Sequence, residues 1–393
     1  MKKVYIVDAA RTAVGTFGGS LSPLSAVELG TSVVKELMKR NNLNNQSVDE
    51  LLMGCVLQSG SGQNVARQIA VNSGMSVEKT AMTINMVCGS GLRTVSLAAQ
   101  AIKSGDADLI IAGGTESMTN APYISKDARF GGRMGNLTMI DTMITDGLWD
   151  VFNDYHMGLT AENVAEKYNI SREDQDLFAY QSQMKATEAQ KNGKFEDEII
   201  SVYIPRKRKE PIEFRKDEYI RGDSSLEKIS SMRSAFKKEG TVTAANASGI
   251  NDGAAAVIIA SEEAVKKYDL KPMVEIVSYA YVGNDPSLMG AAPIKAVQKV
   301  LKKAEWTIDD VDVIEANEAF ASQSLAVMRE TSMDSDKVNI NGGSIAIGHP
   351  IGASGARILT TLLYEMKRSN KSRGLATLCI GGGMGIAMCV RSV

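Results

Sequence analysis

Short apolar runs alternate along the chain with longer segments of small or amphipathic residues, a pattern typical of alternating strands and helices. The apolar run Met82–Cys88 predicts a strand, and the small residues of Gly89–Ile102 that follow it predict a helix. Leu109–Ala112 then predicts a second strand. The same order recurs near the C-terminus, with a predicted helix over Gly352–Leu363 and a predicted strand over Leu375–Ile380. This repetition indicates a duplicated, layered α/β fold.

The two predicted small-residue helices carry no charged stripe in their first turns, so we expect them to lie buried between sheets. The middle of the chain is richer in charge, and it contains a predicted helix that begins after an N-cap at Ser171 and ends near Gly193. The predicted organisation is an N-terminal half at residues 1–119 and 250–272, an inserted α+β domain at 120–249, and a C-terminal half at 273–393.

Composition narrows the class of protein. A length of 393 residues suits two or three domains, and the net charge of −2 argues against a nucleic-acid binder. The longest uncharged run, between Arg373 and Arg391, is too short and too rich in glycine for a membrane helix. The apolar start Val4–Val7 is too short for a signal peptide. We therefore expect a soluble protein that does not bind membranes.

The four cysteines form no CxxC pair, which argues against a zinc knuckle or a disulfide framework and suits the reducing cytoplasm. Cys88 is predicted where a strand gives way to a helix. Its thiol would face the helix N-terminus, so we expect a lowered thiol pKa and a nucleophile; the alternative is a buried structural cysteine. Cys379 ends another strand before Gly381–Gly383, and alone it could be a resolving cysteine, a core residue or a proton-transfer group.

Two further residues complete a candidate acid–base site. His349 is one of two histidines and lies in a glycine-rich turn, where Pro350 restricts its backbone. It is the natural general base for a thiol, although a structural loop histidine is the alternative. Asn317 follows a predicted strand and could donate a hydrogen bond to an oxyanion or cap the next helix.

Four motifs together resemble the thiolase family, in particular its biosynthetic acetyl-CoA acetyltransferases, in order and approximate spacing over the whole chain: Val87–Gly91, Asn317–Phe320, Gly348–Pro350 and Cys379–Gly383. Tyr155–Gly158 and Asn246–Gly253 are also similar to thiolase segments. The resemblance implies a duplicated five-layered fold, in which two similar α/β halves enclose buried central helices.

The resemblance implies a ping-pong Claisen condensation of two acetyl-CoA to acetoacetyl-CoA and CoA, reversible as thiolysis. Cys88, activated by His349, would take the acetyl group, and Cys379 would remove a proton from the second acetyl-CoA. One oxyanion pocket would use His349 and Asn317 acting through a water; the other would use the backbone amides of Cys88 and Gly381. No metal and no cofactor beyond CoA, which is part of the substrate, is implied.

The resemblance also implies that the inserted domain binds CoA, with Arg221 near the nucleotide and these residues along the pantetheine tunnel: Leu148, His156, Met157, Phe236, Ala244 and Ser248. The basic run Arg206–Lys209 fits a solvated face better. Ala245 and Thr115 depart from the family pattern, and Ala245 could narrow the tunnel. A cytoplasmic homotetramer, built as a dimer of dimers, is the implied assembly.

Other functions stay open at this stage. A 3-ketoacyl-CoA thiolase of broader chain length and a catalytically silent acyl-CoA-binding protein share the same motifs, although a silent protein would be expected to lose Cys88, His349 or Cys379. A decarboxylating ketoacyl synthase is disfavoured because His156 lies in the insertion, and a dinucleotide-binding protein because no glycine cluster gives the GxGxxG pattern. Two converging thiols also suggest an oxidative Cys88–Cys379 switch, with permanently reduced thiols as the alternative.

Overall fold

A computed structural model describes residues 2–393 of the chain. Its first part alternates strands and helices, as the sequence predicts. The elements in chain order are β1 (Val4–Thr12), β2 (Gly15–Thr16), α1 (Ala26–Arg40), β3 (Glu50–Gly54), α2 (Val65–Asn72), β4 (Thr80–Ile84), α3 (Ser90–Ser104) and β5 (Leu109–Ser117).

The middle of the chain consists of short strands, two long helices and irregular segments. It contains β6 (Tyr123–Ile124), β7 (Ile140–Asp141), β8 (Trp149–Asp150), β9 (Tyr155–His156), α4 (Met157–Lys167), α5 (Arg172–Lys191), β10 (Ile199–Ile200), β11 (Val202–Arg206), β12 (Lys209–Phe214) and α6 (Leu226–Ser230). A 3₁₀ turn at Ala128–Phe130 and a π-helix at Met143–Leu148 lie between them. The predicted N-cap at Ser171 is confirmed, because its side chain accepts a hydrogen bond from Asp174 N.

The last part returns to regular alternation. Its elements are β13 (Asn251–Ser261), α7 (Glu262–Lys267), β14 (Val274–Gly283), α8 (Ala292–Ala304), β15 (Val313–Ala316), α9 (Ala321–Glu330), α10 (Ser344–Ile347), α11 (Ser354–Arg368), β16 (Arg373–Ile380) and β17 (Met384–Ser392), with a 3₁₀ segment at Pro286–Ala291. Among residues 2–393, no helix combines the length and apolar character needed to cross a bilayer.

One eleven-stranded sheet runs through both parts of the molecule in the order β15-β16-β17-β14-β1-β13-β5-β3-β4, with β2 and β10 as side branches. The two halves meet where β1 pairs briefly with β14, Tyr5 opposite Glu275 and Ile6 opposite Val274. Each half combines a parallel βαβ unit (β3, β4 and β5, or β15 and β16) with antiparallel neighbours. The strands β5 and β13 are buried along their whole length, which explains their long runs of small and apolar residues at Leu109–Gly114 and Gly253–Ala260.

The helices form layers on both sides of each half-sheet. α3 and α11 share one core with the inner faces of both halves, while α1 and α2 cover the outer face of the first half. α8 and α9 cover the outer face of the second half. The predicted five-layered fold with buried central helices is therefore confirmed. The domain boundaries at 120 and 249 stay a prediction, although β10 is the one strand that the chain between β5 and β13 adds to the main sheet in residues 2–393.

The strand predicted up to Cys88 ends earlier than expected. β4 stops at Ile84, and the next residues form a turn before α3 begins at Ser90. The Ser90 hydroxyl holds this turn, since it donates to Val87 O at 2.7 Å and accepts from Met86 N at 2.8 Å. Val87 has a φ of 45°, a strained value for a β-branched residue. Cys88 consequently lies in a tight turn rather than on a strand.

Candidate active site

A cavity of about 520 Å³ opens between the main sheet and the middle of the chain. Cys88, His349 and Gly381 line it, although their elements are far apart in sequence. The seven residues predicted to contact CoA line the same cavity: Leu148, His156, Met157, Arg221, Phe236, Ala244 and Ser248. The wall also contains residues that the sequence did not single out: Met118, Tyr219, Met289 and Ile351.

The turn before α3 aims Cys88 into this cavity. The backbone amides of Gly381 and of Cys88 itself lie near the sulfur and favour its charged form, which lowers the pKa. Burial nevertheless raises the pKa of the Cys88 thiol to about 11, because it outweighs these two amides. The expected lowered pKa is therefore wrong. The cause is the enclosed position of the sulfur, which the position before a helix in the sequence does not reveal.

His349 is held from both sides of its turn. Its backbone N donates to Asn251 Oδ1 at 2.9 Å, and its ring Nδ1 lies 2.6 Å from Ser354 Oγ. Ser354 donates its single proton to Pro350 O at 2.9 Å, so Nδ1 must be the donor toward Ser354 and Nε2 keeps its lone pair. Burial, with the charge of Arg357, lowers the pKa of His349 to about 3. The imidazole is thus a neutral base at pH 7.

Cys379 is fully buried in β16, two residues before Gly381. It packs in one apolar cluster with Met157, Ala319 and Phe320, which line the cavity. Burial raises the pKa of the Cys379 thiol far above its ordinary value, and the charge of nearby Cys88 raises it further. The two thiols therefore lie close together, and both are protonated at neutral pH.

Asn317 follows β15, and its side chain is buried at 1% exposure. Its Oδ1 accepts a hydrogen bond from Ser344 Oγ at 2.6 Å, whereas its Nδ2 has no partner in the part of the chain described. The next helix, α9, begins at Ala321 with Phe320 at its N-cap. Asn317 is thus not the helix cap, and its amide group remains free to bind something else.

Aromatic side chains form one wall of the cavity. The His156 ring stacks on Phe236 with centroids 4.7 Å apart, and Phe236 meets Phe320 edge-on at 6.4 Å. His156 also caps α4, since its Nδ1 accepts from Gly158 N at 3.0 Å. Burial lowers the pKa of His156, so this ring is an uncharged wall at neutral pH. All three rings line the cavity.

The remaining predicted features do not line the main cavity. Arg206–Lys209 forms the exposed tip of the hairpin of β11 and β12, as a solvated face requires. Ala245 lines a neighbouring pocket of about 230 Å³ that shares Arg221 and Ala244 with the main cavity. Thr115 is buried and donates to Ala26 O at 2.6 Å. Within residues 2–393, no group of His, Cys, Asp and Glu side chains is placed to hold a metal ion.

A duplicated five-layered α/β fold, in which a thiol and a neutral imidazole line one cavity, defines the class of protein as a thiolase-type enzyme. Comparison with known families agrees: residues 4–263 match the model of the thiolase N-terminal domain, and residues 270–392 match that of the thiolase C-terminal domain. The chain belongs to the thiolase family.

Particular relatives match over their full length. Acetyl-CoA acetyltransferases of Chromobacterium violaceum and Cupriavidus necator are each 55% identical to the chain, with 99% of both sequences covered. The crystal structure of the Bacillus anthracis acetyl-CoA acetyltransferase superposes with a TM-score of 0.98 at 41% identity, covering 100% of this chain and 99% of that one. The human mitochondrial 3-ketoacyl-CoA thiolase superposes with a TM-score of 0.96, also at 41% identity, with the same coverage.

Proposed function

We propose that the chain is an acetyl-CoA C-acetyltransferase that condenses two acetyl-CoA to acetoacetyl-CoA and CoA, reversibly, through an acetyl-Cys88 intermediate. The observation that carries this proposal is the shared cavity, in which Cys88, His349 and Gly381 meet the residues predicted to hold CoA. The relatives named acetyl-CoA acetyltransferase at 53–55% identity support it.

In the first half-reaction, the neutral Cys88 thiol gives its proton to His349 Nε2, and the sulfur attacks the acetyl-CoA carbonyl. The bond between the acetyl carbon and the CoA sulfur then breaks, and the CoA thiolate takes the proton from His349. The backbone amides of Cys88 and Gly381 lie near the Cys88 sulfur, so we assign them as donors to the negative oxygen of the tetrahedral intermediate.

In the second half-reaction, the Cys379 thiol gives its own proton to His349 Nε2, and the resulting thiolate removes a proton from the methyl group of a second acetyl-CoA. The enolate oxygen is stabilised by the proton now on His349 Nε2 and by a water held on Asn317, whose unpartnered Nδ2 supports this role. The enolate carbon attacks the acetyl group, the Cys88–acetyl bond breaks, and the leaving thiolate takes the proton from His349, so both thiols and the imidazole return to their starting state. Atoms and charge balance without a further co-reactant.

The predicted CoA contacts fit the two parts of that ligand. The cavity is lined mainly by apolar side chains such as Leu148 and Met157, which suit a thin pantetheine arm. Arg221 lies at the border with the neighbouring pocket, where a cation suits the nucleotide phosphates. We accordingly assign acetyl-CoA and acetoacetyl-CoA as the ligands, with no metal and no cofactor beyond CoA.

Intact-mass analysis after incubation with acetyl-CoA tests the proposal. We expect one acetyl adduct on Cys88, lost in Cys88→Ser. The Cys379→Ala variant should acquire the adduct and fail to form acetoacetyl-CoA. An adduct on another residue would refute the nucleophile, and normal condensation by Cys379→Ala would refute the second thiol's role.

The aromatic wall supports a preference for short acyl groups. The Phe236 ring lies so close to Gly158 that a Cβ there would approach it to 2.2 Å, so the ring is not free to move toward the helix. We expect thiolysis of acetoacetyl-CoA to exceed that of 3-ketoacyl-CoAs with longer chains. Equal kcat/KM for a ten-carbon substrate would favour the broader 3-ketoacyl-CoA thiolase instead.

We also propose a cytoplasmic homotetramer. The free thiols of all four cysteines suit a reducing compartment. In the segment between β6 and β7, Phe130 is 86% and Met134 is 96% exposed, which is unusual for large apolar side chains unless a second copy covers them. Light scattering should give a tetramer for the wild type, and a smaller species for the Phe130→Ser, Met134→Ser double variant. A monomeric wild type would refute the assembly.

A further inference from the structure

A chain of buried hydrogen bonds leads from a charged side chain to the amide of Asn317. Arg357, in the first turn of α11, donates through Nη2 to Ser344 Oγ at 2.8 Å. Ser344, the first residue of α10, lies 2.6 Å from Asn317 Oδ1. The three residues are at most 1% exposed, so solvent does not compete for these bonds.

The chemistry of the three groups determines which atom donates and which accepts in each of these hydrogen bonds. A guanidinium can only donate, so Arg357 fills an acceptor site on Ser344. The hydroxyl must then donate its single proton onward, and Asn317 must receive it on its carbonyl oxygen. The NH₂ group of Asn317 is consequently turned the opposite way, and Nδ2 is the atom left without a partner among the described residues.

We infer that Ser344 and Arg357 are positioning residues, which select the amide orientation that presents Asn317 Nδ2 as a donor to the oxyanion pocket. This inference rests on the proposed function, since it assigns the two residues to the second half-reaction. If the amide turned over, its carbonyl oxygen would face the water in the pocket and accept one of its two protons, so the water would have fewer protons to offer the enolate oxygen. The hydrogen bonds from Arg357 through Ser344 to Asn317 therefore affect the formation of the carbon–carbon bond and do not affect the acetylation of Cys88.

The burial of Arg357 supports its role in positioning Ser344 and Asn317. A buried guanidinium is costly unless its donors are satisfied, yet Nε and Nη1 have no hydrogen-bond partner in the described chain. The nearest carboxylate oxygen, on Glu315, is 3.7 Å from Nη1. Arg357 also lies three residues after Ser354, on the same face of α11. The first turn of α11 thus contacts the His349 ring through Ser354, and it reaches Asn317 through the bond from Arg357 to Ser344.

The bond between Ser344 and Asn317 is not needed to hold these segments together. Asn339 already joins the two, since its side chain accepts from Ala316 N at 2.9 Å and donates to Ala316 O at 2.8 Å. Glu318 adds a contact with Ile345 N at 3.2 Å. Removal of the Ser344 hydroxyl should therefore change the orientation of one amide and leave the backbone in place.

The test compares the two half-reactions in Ser344→Ala. We expect kcat for condensation and thiolysis to fall about 10- to 100-fold, somewhat less than loss of an oxyanion donor itself, while the rate of Cys88 acetylation stays within twofold of wild type. Thr360→Val is the matched control, because this buried hydroxyl of α11 bonds only the Ala356 carbonyl of its own helix, at 2.9 Å, among the described residues. Both rates should be unchanged in the control.

A double-variant cycle separates positioning from a structural effect. In an Asn317→Ala background, Ser344→Ala should cause no further loss of condensation, because the amide it orients is gone. Equal slowing of both half-reactions, additive losses in the cycle, or wild-type condensation by Ser344→Ala would each overturn the inference. A wild-type protein that fails to acetylate Cys88 would instead overturn the proposed function, so the two failures are distinguishable.

Discussion

The two central helices, α3 and α11, pack so closely that the one methyl group added by Gly355→Ala should displace the residues of the site. α3 and α11 approach each other at Gly91 and Gly355. A Cβ at Gly355 would lie 2.3 Å from Leu92 N and 3.1 Å from Gly91 C, both of which are backbone atoms. Ordinary contact begins at 3.4 Å, so Gly355→Ala requires the helices to separate locally by about 1 Å.

Gly355→Ala should reduce the stability of the protein only slightly and its activity strongly. Overpacking of a buried contact costs about 1–3 kcal/mol, and the better helix propensity of alanine returns about 1 kcal/mol, so the loss of stability should be modest. The turns that hold Cys88 and His349 lie directly before these two helices. A displacement of about 1 Å at a reacting pair costs on the order of 100-fold in rate. Activity should therefore fall much more than stability.

The assay is kcat for thiolysis of acetoacetyl-CoA beside the thermal midpoint of unfolding. Gly283→Ala is the matched control, because a Cβ there meets no atom within 4 Å and the residue does not have a positive φ. We expect wild-type rates for the control, and a Tm only a few degrees lower for Gly355→Ala with activity reduced about 100-fold. A Gly355→Ala protein with wild-type activity and Tm would refute the close approach as the device that sets the distance between thiol and imidazole.

Three further predictions concern the side chains of the site. Iodoacetamide should alkylate Cys88 before the fully buried Cys379, at a rate that rises with pH toward the Cys88 pKa of about 11 because the thiolate fraction grows; a plateau between pH 6 and 8 would contradict this. Ser354→Ala should lower kcat about 10-fold or more, since it removes the bond that sets the His349 tautomer, and an unchanged pH–rate profile with unchanged kcat would exclude that role. Mild peroxide should link Cys88 to Cys379, and peptide mapping that recovers both peptides unlinked would discard the oxidative switch.

The overall fold could be predicted from the sequence because the patterns that indicate it are local and occur twice along the chain. The small-residue helices, the strands that end at glycines and the recurrence of their order predict the duplicated fold, and the structure confirms it. The end of β4 could not be predicted in the same way. Asn85–Cys88 continues an apolar run, and the Ser90 hydroxyl converts it into a turn through bonds that depend on the position of α3.

The site shows where local patterns stop being informative. The position of Cys88 before a helix predicts a lowered thiol pKa, yet burial by the surrounding chain reverses the sign. Residues such as Tyr219 and Met289 form the cavity wall without any motif of their own. The link between Arg357 and Asn317 joins two segments through a third, and no spacing in the sequence encodes it.

The internal duplication explains why two similar helices can serve different chemistry. Both α3 and α11 begin with Ser-Gly-x-Arg, at Ser90 and at Ser354. In α3 the serine shapes the turn of Cys88, and the arginine at position 93 lies over the Tyr281 ring, 4.3 Å from its centroid. In α11 the serine holds His349 and the arginine at position 357 is buried behind Ser344. One repeat thus holds the turn of Cys88, while the other holds His349 and contacts Ser344. The close glycine contact between the two helices brings Cys88 and His349 to one cavity.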